Sequence, residues 1–273
     1  MTDAFTVAAA WIDLVATTIF AGAFVFALAV GELSGHGDRI RLRAAWALAA
    51  TLTAELAANT WRMHRVSGIG GLDLVRDVLE MRWTSLWIAR ATGLVLLGAI
   101  ARRRRRTGAA AAAVALGWLG FRSFQGHAGA HEISAAFTDW IHLAAASAWL
   151  GGLVQLGCFA KPAQRALVRM RRLATTAIAA LVASGIYGAL YHVHSVRALT
   201  SSSYGRTLVA KIAMVAPILA LGAMNHFRLV PRAIDGSADA ERALLRMVGL
   251  EIALGVVVLG ASALLGNLPM PHF

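Results

Sequence analysis

Apolar runs separated by short basic or glycine-rich breaks recur along the whole chain, and this pattern limits its fold more than any motif does. A helix that spans a bilayer needs about 20 mostly apolar residues. Eight stretches approach that description: near Phe5 to Val30, Leu42 to Thr60, Ser85 to Ala101, Gly108 to Phe124, Ala136 to Ala160, Leu173 to Val193, Thr207 to Leu229 and Leu244 to Leu268. The expected fold is all-α, a polytopic membrane helical bundle of about eight transmembrane helices. Composition agrees, since 58% hydrophobic residues, 15% charged residues and a mean hydropathy of +0.64 exclude a water-soluble globule.

The five-arginine run Arg102 to Arg106 directly follows an apolar stretch. Short loops rich in Lys and Arg stay on the cytoplasmic side, so this run orients the bundle and puts both termini on the outer side. The remaining charges fit that orientation. The inner segments also carry Arg39, Arg41, Arg43, Lys161, Arg165, Arg169, Arg171, Arg172, Arg228, Arg232, Arg242 and Arg246, against Arg62, Arg65, Arg76, Arg82, Arg122, Arg197 and Arg206 outside. The formal net charge of +12 therefore reads as a topology signal, and no nucleic-acid partner is expected. The first apolar run is longer than the hydrophobic region of a signal peptide and reads as a retained helix. A single cysteine, Cys158, excludes an intramolecular disulfide and any multi-cysteine zinc site.

The chain also repeats itself. Trp11-Ile12-Asp13-Leu14 matches Trp140-Ile141-His142-Leu143, and Phe20 and Gly22 then fall opposite Trp149 and Gly151 without a gap. Arg41, Arg43 and His64 match Arg169, Arg171 and His192, while Arg76, Trp83 and Arg90 match Arg197, Tyr204 and Lys211. Two parallel four-helix pseudo-repeats are expected, 1-125 and 126-273, related by an axis along the membrane normal.

Histidine is distributed unevenly across the two faces. His64, His127, His131, His192, His194 and His272 fall at the outer face, His142 about one turn inside it, and only His36 and His226 at the inner face. Imidazole ligates copper, zinc, iron and nickel. His127 and His131, four residues apart, share a face if their helix extends that far, whereas His192 and His194 need a frayed or extended segment to act together. Asp13, Glu55, Arg90, Asp139, Lys211 and Glu251 are ionisable residues within spans, and such residues usually face the bundle interior. Arg90 and Lys211 read first as members of structural pairs. Asp13 holds in the first half the position that His142 holds in the second. The segment Leu72 to Trp83 has the apolar spacing of a short interfacial helix.

Gly126-His127-Ala128, Asp139-Trp140-Ile141-His142-Leu143 and Ala148-Trp149-Leu150-Gly151-Gly152 resemble the signature of the copper resistance protein D (CopD) family of bacterial inner-membrane proteins. Tyr204-Gly205-Arg206 with Lys211, Asn225 to Pro231, Leu250-Glu251 and Leu268-Pro269 extend the resemblance over about Gly126 to Pro269. The resemblance implies a multi-pass protein of the bacterial inner membrane that handles copper, beside a small periplasmic copper-binding protein. No methionine-rich tract of a copper store accompanies it.

On this reading a copper ion is bound at the periplasmic face by His127, His131 and His142. His192, His194 and His64 complete or feed the site, and Asp13, Glu55 and Asp139 supply compensating charge. A different class stays open. Histidines from facing helices, such as His142 with His192 or His64, hold haem b in electron-transfer bundles. A metal-dependent membrane enzyme or accessory protein is a third reading, needing an open coordination position and a substrate pocket.

Overall fold

A computed structural model describes residues 4–102, 108–125, 133–192 and 196–268, with the side chains of residues 192 and 196–198 outside that description. Among the described residues all regular structure is helical. The first half comprises α1 (Ala4–Ala29), α2 (Gly35–Ser67), α3 (Gly71–Glu80), α4 (Arg82–Arg102) and α5 (Ala109–Gln125). The second begins with α6 (Ile133–Ala146), which passes through a π-turn (Ser147–Gly151) into α7 (Gly152–Gly157). It continues with α8 (Gln164–His192), α9 (Val196–Ser201) and α10 (Ser203–Met224), then a second π-turn (Asn225–Leu229), α11 (Val230–Ile234) and α12 (Ala238–Leu265).

Among the described residues, five helical segments are long and apolar enough to cross a membrane: Ala4–Ala29, Arg82–Arg102, Gln164–Tyr191, Ser203–Ile234 and Ala238–Leu265. The protein is therefore an all-α, multi-pass membrane protein. Large apolar side chains such as Trp46, Val95, Ile186, Leu190 and Phe227 lie on the outside, where lipid replaces water as the neighbour. The helix ends are set locally. Ser34 accepts a hydrogen bond from Gly37 N and starts α2, and Gly68 ends it at φ 69°, donating to His64 O. Ser202 and Ser237 cap α10 and α12 in the same way. The expected interfacial segment forms α3, with Leu72, Val75 and Leu79 exposed.

The centre of the bundle is made by α1. It packs against α2 and α5 on one side and against the Ser147–Gly151 turn and α12 on the other. Small residues make these contacts close: a Cβ on Gly22 would lie 2.2 Å from Ser147 O, and one on Gly151 would lie 2.5 Å from Thr18 O. The two tryptophans matched in sequence make matching contacts. Trp11 Nε1 donates to Val256 O on α12 at 2.8 Å, and Trp140 Nε1 donates to Leu116 O on α5 at 2.8 Å. Gly260 lies against the first indole and Gly120 against the second. The first long helix of each half thus leans on the last helix of the other.

Candidate functional site

Asp13, on the α1 face turned towards the first half, is fully buried and organises one polar cluster. Its Oδ1 accepts from an Arg90 guanidinium nitrogen at 2.7 Å and from Thr51 Oγ1 at 3.4 Å, and its Oδ2 accepts from Arg122 Nε at 2.8 Å. Arg90 also reaches Gln125 Oε1 at 3.0 Å and Glu55 at 3.5 Å. Trp118 Nε1 donates to Arg90 O at 2.8 Å, and Gly93 leaves room for the indole. Two carboxylates and two guanidiniums from α1, α2, α4 and α5 thus neutralise one another in a place where an isolated charge would be very costly. The carboxylates expected to balance copper, Asp13 and Glu55, have their charge taken up by arginines.

Arg122, counted among the outer charges, also has a partner inside the bundle. Its place near a span end made it an outer topological charge, whereas its guanidinium turns inward onto Asp13. Asp13 itself was the available signal, because a carboxylate inside a span requires a cationic partner and Arg90 alone leaves one of its oxygens free.

A second cluster surrounds His142 on α6. His142 Nδ1 lies 2.9 Å from Ser184 Oγ on α8, and the Ser184 hydroxyl donates to Ala180 O at 2.6 Å. Leu181 O, 3.3 Å away, is a second carbonyl within reach of the hydroxyl. With the hydroxyl hydrogen on either carbonyl, the matching neutral tautomer of His142 carries its hydrogen on Nδ1 and its lone pair on Nε2. Gly185 stands beside the ring, where a Cβ would come 3.5 Å from Cε1. Lys211 of α10 is within electrostatic reach of both His142 and Asp139, and Asp139 also of Arg122. Asp139 is exposed and sits between the cations of the two halves.

His64 shows the same tautomer logic at the end of α2. Its Nδ1 lies 2.7 Å from Ile69 O, an atom that only accepts, so Nδ1 is the donor nitrogen there. A metal-ligating histidine usually donates from its other ring nitrogen to a nearby acceptor, which fixes the orientation of the ring. Sequence inspection did not single out Ser184, because a serine one helix away gives no periodic signal.

Asp13 and His142 do not share partners: the former turns to α2, α4 and α5, the latter to α8. His127, His131 and His194, and the side chain of His192, lie outside the described residues. Among the described residues, no group of three or more His, Cys, Asp or Glu side chains is placed to hold one ion. At the opposite end of the bundle, His226 Nε2 accepts from Arg171 Nε at 3.2 Å. His36 is exposed near the start of α2.

Comparison with known proteins agrees with this architecture. The family described as Copper resistance protein D matches residues 164–265. The copper transport protein CutJ of Bacillus subtilis is 28% identical over 217 residues, covering 72% of this chain and 39% of the relative. Copper resistance protein D of Pseudomonas syringae pv. tomato is 29% identical, covering 54% of each chain. The inner membrane protein YebZ of Escherichia coli is 32% identical, covering 47% of each. The chain spans about half the length of these curated relatives, or less. No solved structure matches it.

Proposed function

We propose that this chain, whose residues 164–265 match the copper resistance protein D family, takes up copper at the periplasmic face and moves it into or across the inner membrane. The observation that supports this reading most directly is the state of His142. A half-buried imidazole held at Nδ1 by Ser184 leaves Nε2 as the nitrogen that would bind copper. His127 and His131 would join it as first ligands, with His192, His194 and His64 completing or feeding the site. Asp139, whose charge offsets the nearby Lys211 ammonium, is the carboxylate best placed to make a cation welcome there.

The same proposal orients both termini to the periplasm, so that the outer histidines can accept copper from a small periplasmic copper-binding protein. It also treats residues 1-125 and 126-273 as two halves with divided roles. The Trp11 and Trp140 contacts and the Gly22 to Gly151 approach support that division. In the first half the polar cluster is a self-neutralised brace; in the second it leaves an imidazole nitrogen available.

The test is metal analysis and equilibrium copper binding on protein reconstituted in lipid, with Cu(I) and Cu(II) measured separately. Copper bound by the wild type and lost in H142A supports the reading. Copper affinity unchanged in H142A removes the site, and a strong Soret band from the purified protein replaces copper with haem b.

A further inference from the structure

Away from the histidine clusters, a cavity of about 270 Å³ lies between α8, α10 and α12 near the end of the bundle that carries Arg171 and His226. It is walled by apolar side chains, among them Trp149, Leu153 and Leu244, and exposed Thr175 and Phe227 sit at its margin. Both π-turns contribute to its wall, through Trp149 and through Asn225. Such turns interrupt regular helix at a cost and occur often at functional sites.

The polar groups buried in this wall are Glu251 and Asn225. Glu251 is 2% exposed and Asn225 7%. Asn225 Nδ2 donates to Glu251 Oε1, whereas Asn225 Oδ1 is buried without any hydrogen-bond partner. The second carboxyl oxygen faces Gly222, where a Cβ would still stand 3.8 Å away. Among the described residues no ion pair includes Glu251. That contrasts with Asp13, which is equally buried and holds two arginines.

A carboxylate buried without a counter-charge and an amide oxygen buried without a donor are two unmet demands in one place. A single proton meets both, because a carboxylic acid is neutral and its O–H supplies the donor that Asn225 Oδ1 lacks. A metal ion fits less well. The pair offers only oxygen ligands, and Arg171 lines the same cavity with a positive charge. The ionisable groups facing the cavity from its neighbours are Arg171 on α8 and His226 on the second π-turn. The wall formed by α7 is apolar at Leu153 and Leu156, and α1 directs its one buried carboxylate, Asp13, to arginines elsewhere.

We propose that Glu251 and Asn225 form a proton-binding site, an acid–amide pair that exchanges one proton with solvent through this cavity. On release, the carboxyl O–H bond breaks, the proton passes to water entering the cavity, and Asn225 Oδ1 loses its donor. On uptake the reverse occurs, with no change in oxidation state. The site requires no copper, and its test is independent of the copper reading.

Infrared spectra of the full protein in copper-free lipid nanodiscs, taken from acid to alkaline pH, test it. The wild type is expected to show a protonated-carboxyl band at neutral pH that is lost on raising the pH and shifts in heavy water. E251Q should lack that band throughout while keeping the wild-type melting behaviour. N225L should move the band to higher frequency by freeing the carbonyl oxygen. If E251Q does not fold, E251D serves instead, and the band must shift with the displaced carboxyl; an unmoved band overturns the proposal. It is also overturned if wild-type and E251Q spectra coincide at every pH. A melting temperature that rises with sodium, potassium or Cu(I) in the wild type and not in E251Q overturns it in favour of a metal cation.

Discussion

Gly22 and Gly151 face each other across the centre of the bundle so closely that a Cβ on Gly22 would lie 2.7 Å from the Cα of Gly151. The reverse substitution would meet the Cα of Gly22 at 2.8 Å. Both neighbours are backbone, which cannot swing aside as a side chain can, so even alanine forces α1 away from the Ser147–Gly151 turn. Without a hydrophobic driving force between helices in lipid, such close approach is a main source of association.

G22A and G151A are therefore each expected to destabilise the protein by about 1–3 kcal/mol, the usual cost of overpacking. Thermal unfolding in detergent would show it. Alanine at Gly117, which has open space beside it, is the control and should leave the transition unchanged.

Removing Asp13 should cost more than removing any other member of its cluster. D13A leaves buried Arg90 with only the longer Glu55 contact and deprives half-buried Arg122 of its ion-pair partner, and breaking a buried pair from one side costs about 3–5 kcal/mol. D13N keeps the shape and should fall between D13A and the wild type. Copper affinity measured on whatever folded D13N is recovered should be unchanged, because the carboxylate serves the arginines.

At the candidate copper site, H142A should weaken copper binding far more than H36A, since His36 is exposed near the start of α2 and away from the outer cluster. S184A keeps the ring but removes the acceptor that holds its Nδ1 hydrogen. It should weaken binding by about 10–100-fold, the typical effect of losing such a support. H142D, which copies the first half, should retain some affinity for harder divalent ions and lose preference for copper. Isothermal titration with each ion separates these outcomes.

Copper binding through imidazoles should fall as the solution is acidified, because a protonated imidazole has no lone pair to give and protons compete with the metal. The sign follows directly: affinity is complete at high pH and declines through the ordinary histidine range, about pH 6.5. Binding that strengthens on acidification would rule out histidine ligation.

Reporter fusions after Arg106, Arg172 and Asp235 should read cytoplasmic, and fusions after Glu132 and Ser202 periplasmic. A reversed pattern would put the clustered histidines on the cytosolic side and end the model of periplasmic uptake.

Much of the architecture was legible in the linear pattern. Hydropathy is local and additive, so each long apolar run announced a helix, and the capping residues Ser34, Gly68, Ser202 and Ser237 mark ends that lie close to the runs. The correspondence of Trp11 with Trp140 was also visible, since it is a matter of residue identity at a fixed spacing. The break of α6 at Ser147–Gly151 left no such trace, because a π-turn inserts one residue into a helix without altering its composition.

What tertiary structure alone decided is which polar groups meet. Asp13 and His142 occupy matching sequence positions, yet one is closed by two arginines and the other keeps a nitrogen available. Arg122 read as an outer-face charge, and the packing of α5 on α1 carries it to Asp13; Ser184 was unremarkable until α8 brought it to His142. Apolar periodicity specifies that a segment lies in the bilayer, because the transfer energy of each residue depends on that residue alone. An ion pair or a ring contact depends on two groups from distant segments, and their meeting is set by helix packing, that of α1 on α2 and α5 for Asp13 and that of α6 on α8 for His142.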